Sequence, residues 1–137
     1  MTAAGADQTG RDRIAADPPV MSEANGTETW WVVVAQLTAL PAWLALPRDQ
    51  RRSIADRVAG QARRHKDVRV RWLDAEAFTA ECSDILLAET ADLAAWYHLF
   101  EMLRDTELFT TPYFRLERII TGIEDGHRAY NKTLQTR

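Results

Sequence analysis

Hydrophobic and polar residues alternate along this chain in a pattern that predicts four strands. The first, TWWVVVAQL, is β-branched and aromatic throughout, which is typical of a strand buried on both faces. The second alternates cleanly, with Val68, Val70 and Trp72 on one face and Arg69 and Arg71 on the other. The predicted strands are residues 29–37, 67–73, 82–90 and 113–123.

Two further segments have apolar residues at helical spacing. The first helix is predicted from Pro47, a residue that suits a first turn, to about His65. The second is predicted over residues 91–104, with Arg104 near the centre of its inward face. That inward face is predicted to contain Leu93, Trp96, Tyr97, Phe100 and Leu103.

The order of these elements is strand, helix, strand, strand, helix, strand. It predicts an α+β fold of the ferredoxin-like split βαβ type (β-α-β-β-α-β), with an antiparallel four-stranded sheet. Two helices cover one face of such a sheet, and an apolar second face is usually buried by a partner. We therefore predict a homodimer with the architecture of a dimeric α/β barrel.

Composition divides the chain into three parts. Residues 1–28 are rich in small and polar residues and are predicted to be a disordered N-terminal extension. Residues 29–126 form the predicted ferredoxin-like domain, and residues 127–137 form a C-terminal tail that is predicted to be partly helical.

Charge is distributed unevenly within the net value of −3. Residues 48–71 contain nine basic and three acidic residues, whereas residues 72–125 contain three basic and twelve acidic residues. The basic segment is either a nucleic-acid surface or a helix face that pairs with the acidic half. No aromatic stacking platform accompanies its arginines, so no nucleic-acid partner is predicted.

The single cysteine, Cys82, permits no internal disulfide, which favours a reducing cytoplasm. The longest uncharged run, residues 29–46, contains Gln36 and Pro41 and is read as a strand and loop, so no membrane segment is predicted.

Several separate blocks of the sequence resemble the darcynin family. They are LPAWLAL (40–46), WLDAEAF (72–78), CSDI (82–85), ET (89–90), LRDTELF (103–109), PYF (112–114) and IEDG (123–126). The resemblance implies a small cytoplasmic bacterial protein related to the dimeric α/β barrels. The family has no established activity, so the resemblance assigns no catalytic residue.

The predicted fold offers a cavity between sheet and helices as the candidate site. Asp84 is the predicted proton-transfer group, and Arg71 or Arg104 is predicted to stabilise a developing oxyanion. Alternatively, Arg71 pairs with Asp74 or Asp84, and Arg104 caps its helix beside Asp105. The predicted ligand-binding residues are Trp31, Trp43, Tyr97 and Tyr113. The competing interpretation is that all of these residues form a buried structural network.

No cofactor or metal is predicted. A zinc site needs clustered ligands, whereas the three histidines are scattered. Acidic neighbours disfavour the thiolate of Cys82. Haem binding through His65, His98 or His127, as in similar barrels, has no support in the sequence.

Two functions are consistent with this pattern. One is a cofactor-independent enzyme or tailoring factor that cyclises, isomerises or oxygenates a small natural-product-like molecule in secondary metabolism, by analogy of fold alone. The other is a non-catalytic dimer that binds a small ligand or another protein. An enclosed cavity above about 300 Å³, lined by at least two of the polar candidates, would favour the enzyme.

Overall fold

The structure, a computed structural model, describes residues 28–135. Its strands are β1 (Trp31–Ala39), β2 (Val68–Asp74), β3 (Asp84–Thr90) and β4 (Phe114–Ile123). Its helices are α1 (Pro41–Leu44), α2 (Arg48–Arg63), α3 (Leu93–Asp105), α4 (Glu107–Thr110) and α5 (Gly126–Gln135). The N-terminal extension that is predicted to be disordered, residues 1–28, lies outside the described residues apart from Glu28.

The four strands form one antiparallel sheet in the order β2-β3-β1-β4. This order, together with the chain order of strands and the two long helices, confirms the ferredoxin-like α+β prediction. The apolar first strand is central, because it pairs with β3 on one side and β4 on the other. Val33 and Ala35 of this strand have no exposed surface.

The main core lies between the sheet and the helices. Its buried members include Val33 and Leu37 from β1, Leu86 from β3, Leu99 from α3 and Phe114 from β4. Helix α2 contributes Val58 to the same core, in agreement with its apolar spacing.

The inward face of α3 differs from the prediction at Tyr97. Leu99 and Leu103 are the buried residues of this helix, whereas Tyr97 is 59% exposed. Successive helical residues are separated by about 100°, so Tyr97 lies a quarter-turn beyond Trp96, at the flank of the face. Arg104 lies near the same flank, not at the centre, and is exposed.

Helix α3 begins two residues later than predicted. The carboxylate of Asp92 accepts a hydrogen bond from the N–H of Ala94 at 2.9 Å and caps the helix. Thr90, just before it, is buried and donates its hydroxyl to the carbonyl of Asp67 at 2.7 Å. This bond joins the end of β3 to the residue before β2.

The second face of the sheet carries an apolar patch that no helix covers in the described chain. Val34 lies opposite Leu87 on one side and Ile120 on the other, and Leu73 lies opposite Ile85. Ile120 is 49% exposed and Leu73 is 41% exposed.

Ion pairs within residues 28–135 join the basic and acidic halves of the chain. Arg57 of α2 pairs with Glu107 of α4, and Arg71 of β2 pairs with Glu89 of β3 at 3.5 Å. These contacts agree with the interpretation of the basic segment as a pairing face. None of the helices within residues 28–135 is long and apolar enough to cross a membrane.

Candidate ligand cavity

A cavity of about 780 Å³ lies on the helix side of the sheet. Its walls come from α2, from the neighbouring strands β2 and β3, and from the connection between them. Small residues of α2, among them Ala55, Ala59 and Ala62, leave room between this helix and the sheet. This volume lies within the range of about 300–1,000 Å³ that is typical of small-molecule sites.

Aromatic side chains form much of the apolar wall. Phe114 packs against Trp43 at a centroid distance of 5.1 Å and edge-to-face against Trp72 at 5.5 Å. Phe78, on the connection between β2 and β3, also lines the cavity and is 87% exposed. The cavity therefore has a fixed aromatic interior and an exposed aromatic residue on its wall.

Asp84 is held in this cavity by two hydrogen bonds. The indole Nε1 of Trp72 donates to its Oδ2 at 2.7 Å, and the hydroxyl of Ser83 donates to its Oδ1 at 2.6 Å. The same hydroxyl accepts the N–H of Ala39 at 2.7 Å, which ties the carboxylate to the end of β1. Donors on both oxygens fix the orientation of the carboxylate.

The environment of Asp84 raises the pKa of its carboxyl group above the ordinary value. Burial is the main cause, because it disfavours the charged form. The hydrogen bonds from Ser83 and Trp72 lower the pKa and partly offset burial, whereas the nearby charges of Asp74 and Glu76 raise it further. Asp84 is therefore a positioned carboxyl group that takes up a proton more readily than a solvated one.

Only two of the seven predicted site residues line this cavity: Asp84 and Trp43. Tyr113 packs against Trp43 at 5.5 Å but is not part of the lining. Trp31, at the start of β1, is also outside it. The cavity exceeds the volume set for an enzyme, but it is open to solvent and not enclosed, and Asp84 is the single polar candidate found in its lining.

The remaining three candidates lie elsewhere. Arg71 is on the opposite face of β2 from Trp72 and pairs with Glu89, not with Asp74 or Asp84. Tyr97 and Arg104 are exposed on α3. The guanidinium of Arg104 lies over the rings of Phe100 and Phe109, at 5.9 and 5.4 Å from their centroids.

Sequence reasoning missed two carboxylates of the lining. Asp74 and Glu76 are not among the predicted site residues, but both line the cavity. A signal for Asp74 was present, because the alternation of Val68, Val70 and Trp72 continues to this position.

The donor set of the cavity does not fit a histidine-ligated haem or a metal ion. A haem iron of that kind needs an imidazole at the wall, and the described residues of the lining include no histidine. Within residues 28–135, no three or more His, Cys, Asp or Glu side chains are arranged to hold a metal ion.

Comparison with known proteins gives a family. Residues 23–136 match the family model described as Darcynin, domain of unknown function. A protein named Darcynin from Chromobacterium violaceum is 49% identical over 71 residues, which cover 52% of this chain and 90% of that protein. Darcynin 1 from Acinetobacter baumannii is 39% identical over 88 residues, which cover 64% of this chain and 98% of that protein.

Solved structures share the fold at low sequence identity. A mutant chlorite dismutase from Candidatus Nitrospira defluvii has a TM-score of 0.66 at 14% identity and covers 80% of this chain. The chlorite dismutase of the same organism in complex with imidazole has a TM-score of 0.59 at 15% identity and covers 88% of this chain. The matches span 44% and 48% of those chains, so this chain is similar to less than half of each. The likeness concerns the fold alone, whereas the sequence matches establish that the chain belongs to the darcynin family.

Proposed function

We propose that the protein binds a small organic molecule in the cavity between α2 and the sheet, with Asp84 as the polar group that orients it. The observation that supports this proposal is a carboxylate held by hydrogen bonds from Trp72 and Ser83 in an aromatic-walled space of about 780 Å³. Apolar walls with a few fixed polar groups are the usual composition of a small-molecule site. Binding takes precedence over catalysis because Arg71 and Arg104, the predicted oxyanion stabilisers, do not line this space.

A cofactor-independent enzyme is the second candidate function, and one observation favours it. Burial raises the pKa of Asp84, which moves its carboxyl group towards the range in which a general acid or base works near neutral pH. In this role Asp84 would exchange a proton with the bound molecule, as an isomerisation or cyclisation requires. In this second function the protein would act in the cytoplasm, in secondary metabolism.

A homodimer is proposed for the uncovered sheet face. The exposed apolar residues Leu73 and Ile120 flank an apolar centre formed by Val34, Ile85 and Leu87. A two-fold axis would place the same patch of a second chain against it and remove both from water. Two copies of this chain would also match the length of one similar chlorite dismutase chain, of which a single copy matches 44%.

The binding proposal is tested with the neutral fluorescent probe N-phenyl-1-naphthylamine. We expect saturable fluorescence enhancement with one site per chain, and loss of at least tenfold in affinity in Ala55→Phe, because the new ring occupies the cavity. Ala94→Phe places the same ring on the exposed surface of α3 and is the matched control. Equal probe affinity in the folded Ala55→Phe variant and the wild type would exclude this cavity as the binding site.

A further inference from the structure

The charged side chains of the cavity all have the same sign. Asp74, Glu76 and Asp84 line it, and its described lining contains no lysine, arginine or histidine. Asp74 and Asp84 are direct partners in the register of β2 and β3, so these two carboxylates belong to adjacent strands. The charged groups nearest to a molecule in this space are therefore carboxylates.

Aromatic rings accompany these carboxylates. Trp43, Trp72, Phe78 and Phe114 line the same space, and the faces of such rings attract cations. Trp72 contributes to the site in two ways. Its indole N–H donates a hydrogen bond to the Asp84 carboxylate, and its ring forms part of the wall. Carboxylates and aromatic faces together are the groups that recognise an organic ammonium ion.

We infer, on the basis of the proposed function, that the cavity selects an organic cation: an amine with an apolar or aromatic body and one protonated nitrogen. The apolar body packs against the small residues of α2 and the rings of Trp43 and Phe114. The ammonium group lies at Asp84, where a hydrogen bond to a carboxylate is charge-assisted.

Two other ligand classes fit this space less well. An anionic ligand would meet three carboxylates with no cationic side chain in the described lining, and such like-charge contacts reject a ligand strongly. An inorganic cation would need a ligand cluster, and the described residues provide none with suitable geometry. An organic ammonium ion needs only one or two carboxylates and an apolar surface.

The inference is tested with three ligands of one scaffold: 2-(1-naphthyl)ethylamine, 2-(1-naphthyl)ethanol and 3-(1-naphthyl)propionate. Isothermal titration calorimetry at pH 7.5 should give an affinity for the amine at least tenfold higher than for the alcohol, and no detectable binding of the carboxylate. Asp84→Asn should reduce amine affinity about tenfold and leave alcohol affinity within twofold. Glu76→Gln, at an exposed position of the wall, should reduce amine affinity about threefold. This variant provides the test if Asp84→Asn does not fold.

Glu101→Gln is the matched control, because Glu101 is exposed on α3 and outside the cavity lining. Its amine affinity should equal that of the wild type. Equal affinity for amine and alcohol, or preference for the carboxylate, overturns the cationic class while the cavity remains a binding site. Failure of all three ligands while the neutral probe binds also overturns it. Failure of both the ligands and the probe overturns the proposed function itself.

Discussion

Replacing Ser83 with alanine should destabilise the fold through the loss of one hydroxyl group. This hydroxyl donates to Asp84 at 2.6 Å and accepts the N–H of Ala39 at 2.7 Å. The backbone of Ser83 has bonds of its own, to the carbonyl of Leu37 at 2.9 Å and from the N–H of Ala75 at 2.8 Å. The backbone should therefore stay in place, so the measured effect belongs to the side chain.

The expected magnitude follows from these two bonds. A hydrogen bond to a charged group contributes about 1.5–3 kcal/mol, and a buried donor without a partner costs about 1–3 kcal/mol. Because Ser83 is half-buried and water can replace part of the loss, we expect the free energy of unfolding to fall by about 2–4 kcal/mol. The pKa of Asp84 should rise further, because the hydrogen bond from Ser83 lowers it in the wild type.

Urea unfolding at pH 7.5 measures the loss of stability, with an unchanged m-value as the sign that the unfolded state is unaltered. Ser53→Ala is the matched control, since Ser53 is exposed on α2 and its substitution should change stability by less than about 0.5 kcal/mol. A loss below about 1 kcal/mol in Ser83→Ala would refute the assignment of Ser83 as the support of Asp84. So would an unchanged pKa of Asp84, followed by carboxyl-carbon NMR.

Three further predictions concern the cavity and the open sheet face. The raised folded-state pKa of Asp84 contributes stability that is present below the ordinary value of 3.8 and is lost as the pH rises through the folded value. Asp84→Asn cannot titrate at this position. As the pH rises from 4 to 7.5, the unfolding free energy of the variant should therefore increase relative to that of the wild type. A difference in urea unfolding that stays constant over this range would contradict this. Phe78→Ala, at an 87% exposed position, should change stability by less than about 0.5 kcal/mol but weaken probe binding severalfold, and unchanged binding would remove Phe78 from the site. Ile120→Glu should convert the proposed dimer to a folded monomer in light scattering, whereas Leu44→Glu, 61% exposed on α1, should not; a dimeric Ile120→Glu would place the interface elsewhere.

The fold could be predicted from the sequence because its strands have different and recognisable patterns of apolar and polar residues. The continuous apolar run of β1 indicated a central strand, and the strict alternation of β2 indicated two unlike faces. The short helix Glu107–Thr110 is absent from the predicted elements, since four residues are too few to show a helical period. The face of α3 was misjudged at Tyr97, because an aromatic residue at the flank of an apolar stripe resembles a core residue in one dimension.

The site was only partly accessible, because it depends on the register of two strands. Alternation correctly separated Trp72 from Arg71, but it did not say which of them shares a face with Asp84. In the structure Asp84 lies opposite Asp74, so it shares a face with Trp72, and Arg71 lies on the other side. The connection between β2 and β3 is nine residues long, so no two-residue hairpin loop fixes this register in the sequence.

The position of Asp84 is costly for folding, and this cost bears on its function. Burial disfavours its charge, and two acidic neighbours add to the effect. Well-packed apolar residues in place of buried charged groups are often neutral or stabilising, so stability alone gives little reason for a carboxylate here. Yet the fold places the indole N–H of Trp72 and the hydroxyl of Ser83 on its two oxygens, in a wall of an otherwise apolar space. A bound ammonium group would offset the burial and the like-charge repulsion together, whereas a structural network would leave both in place.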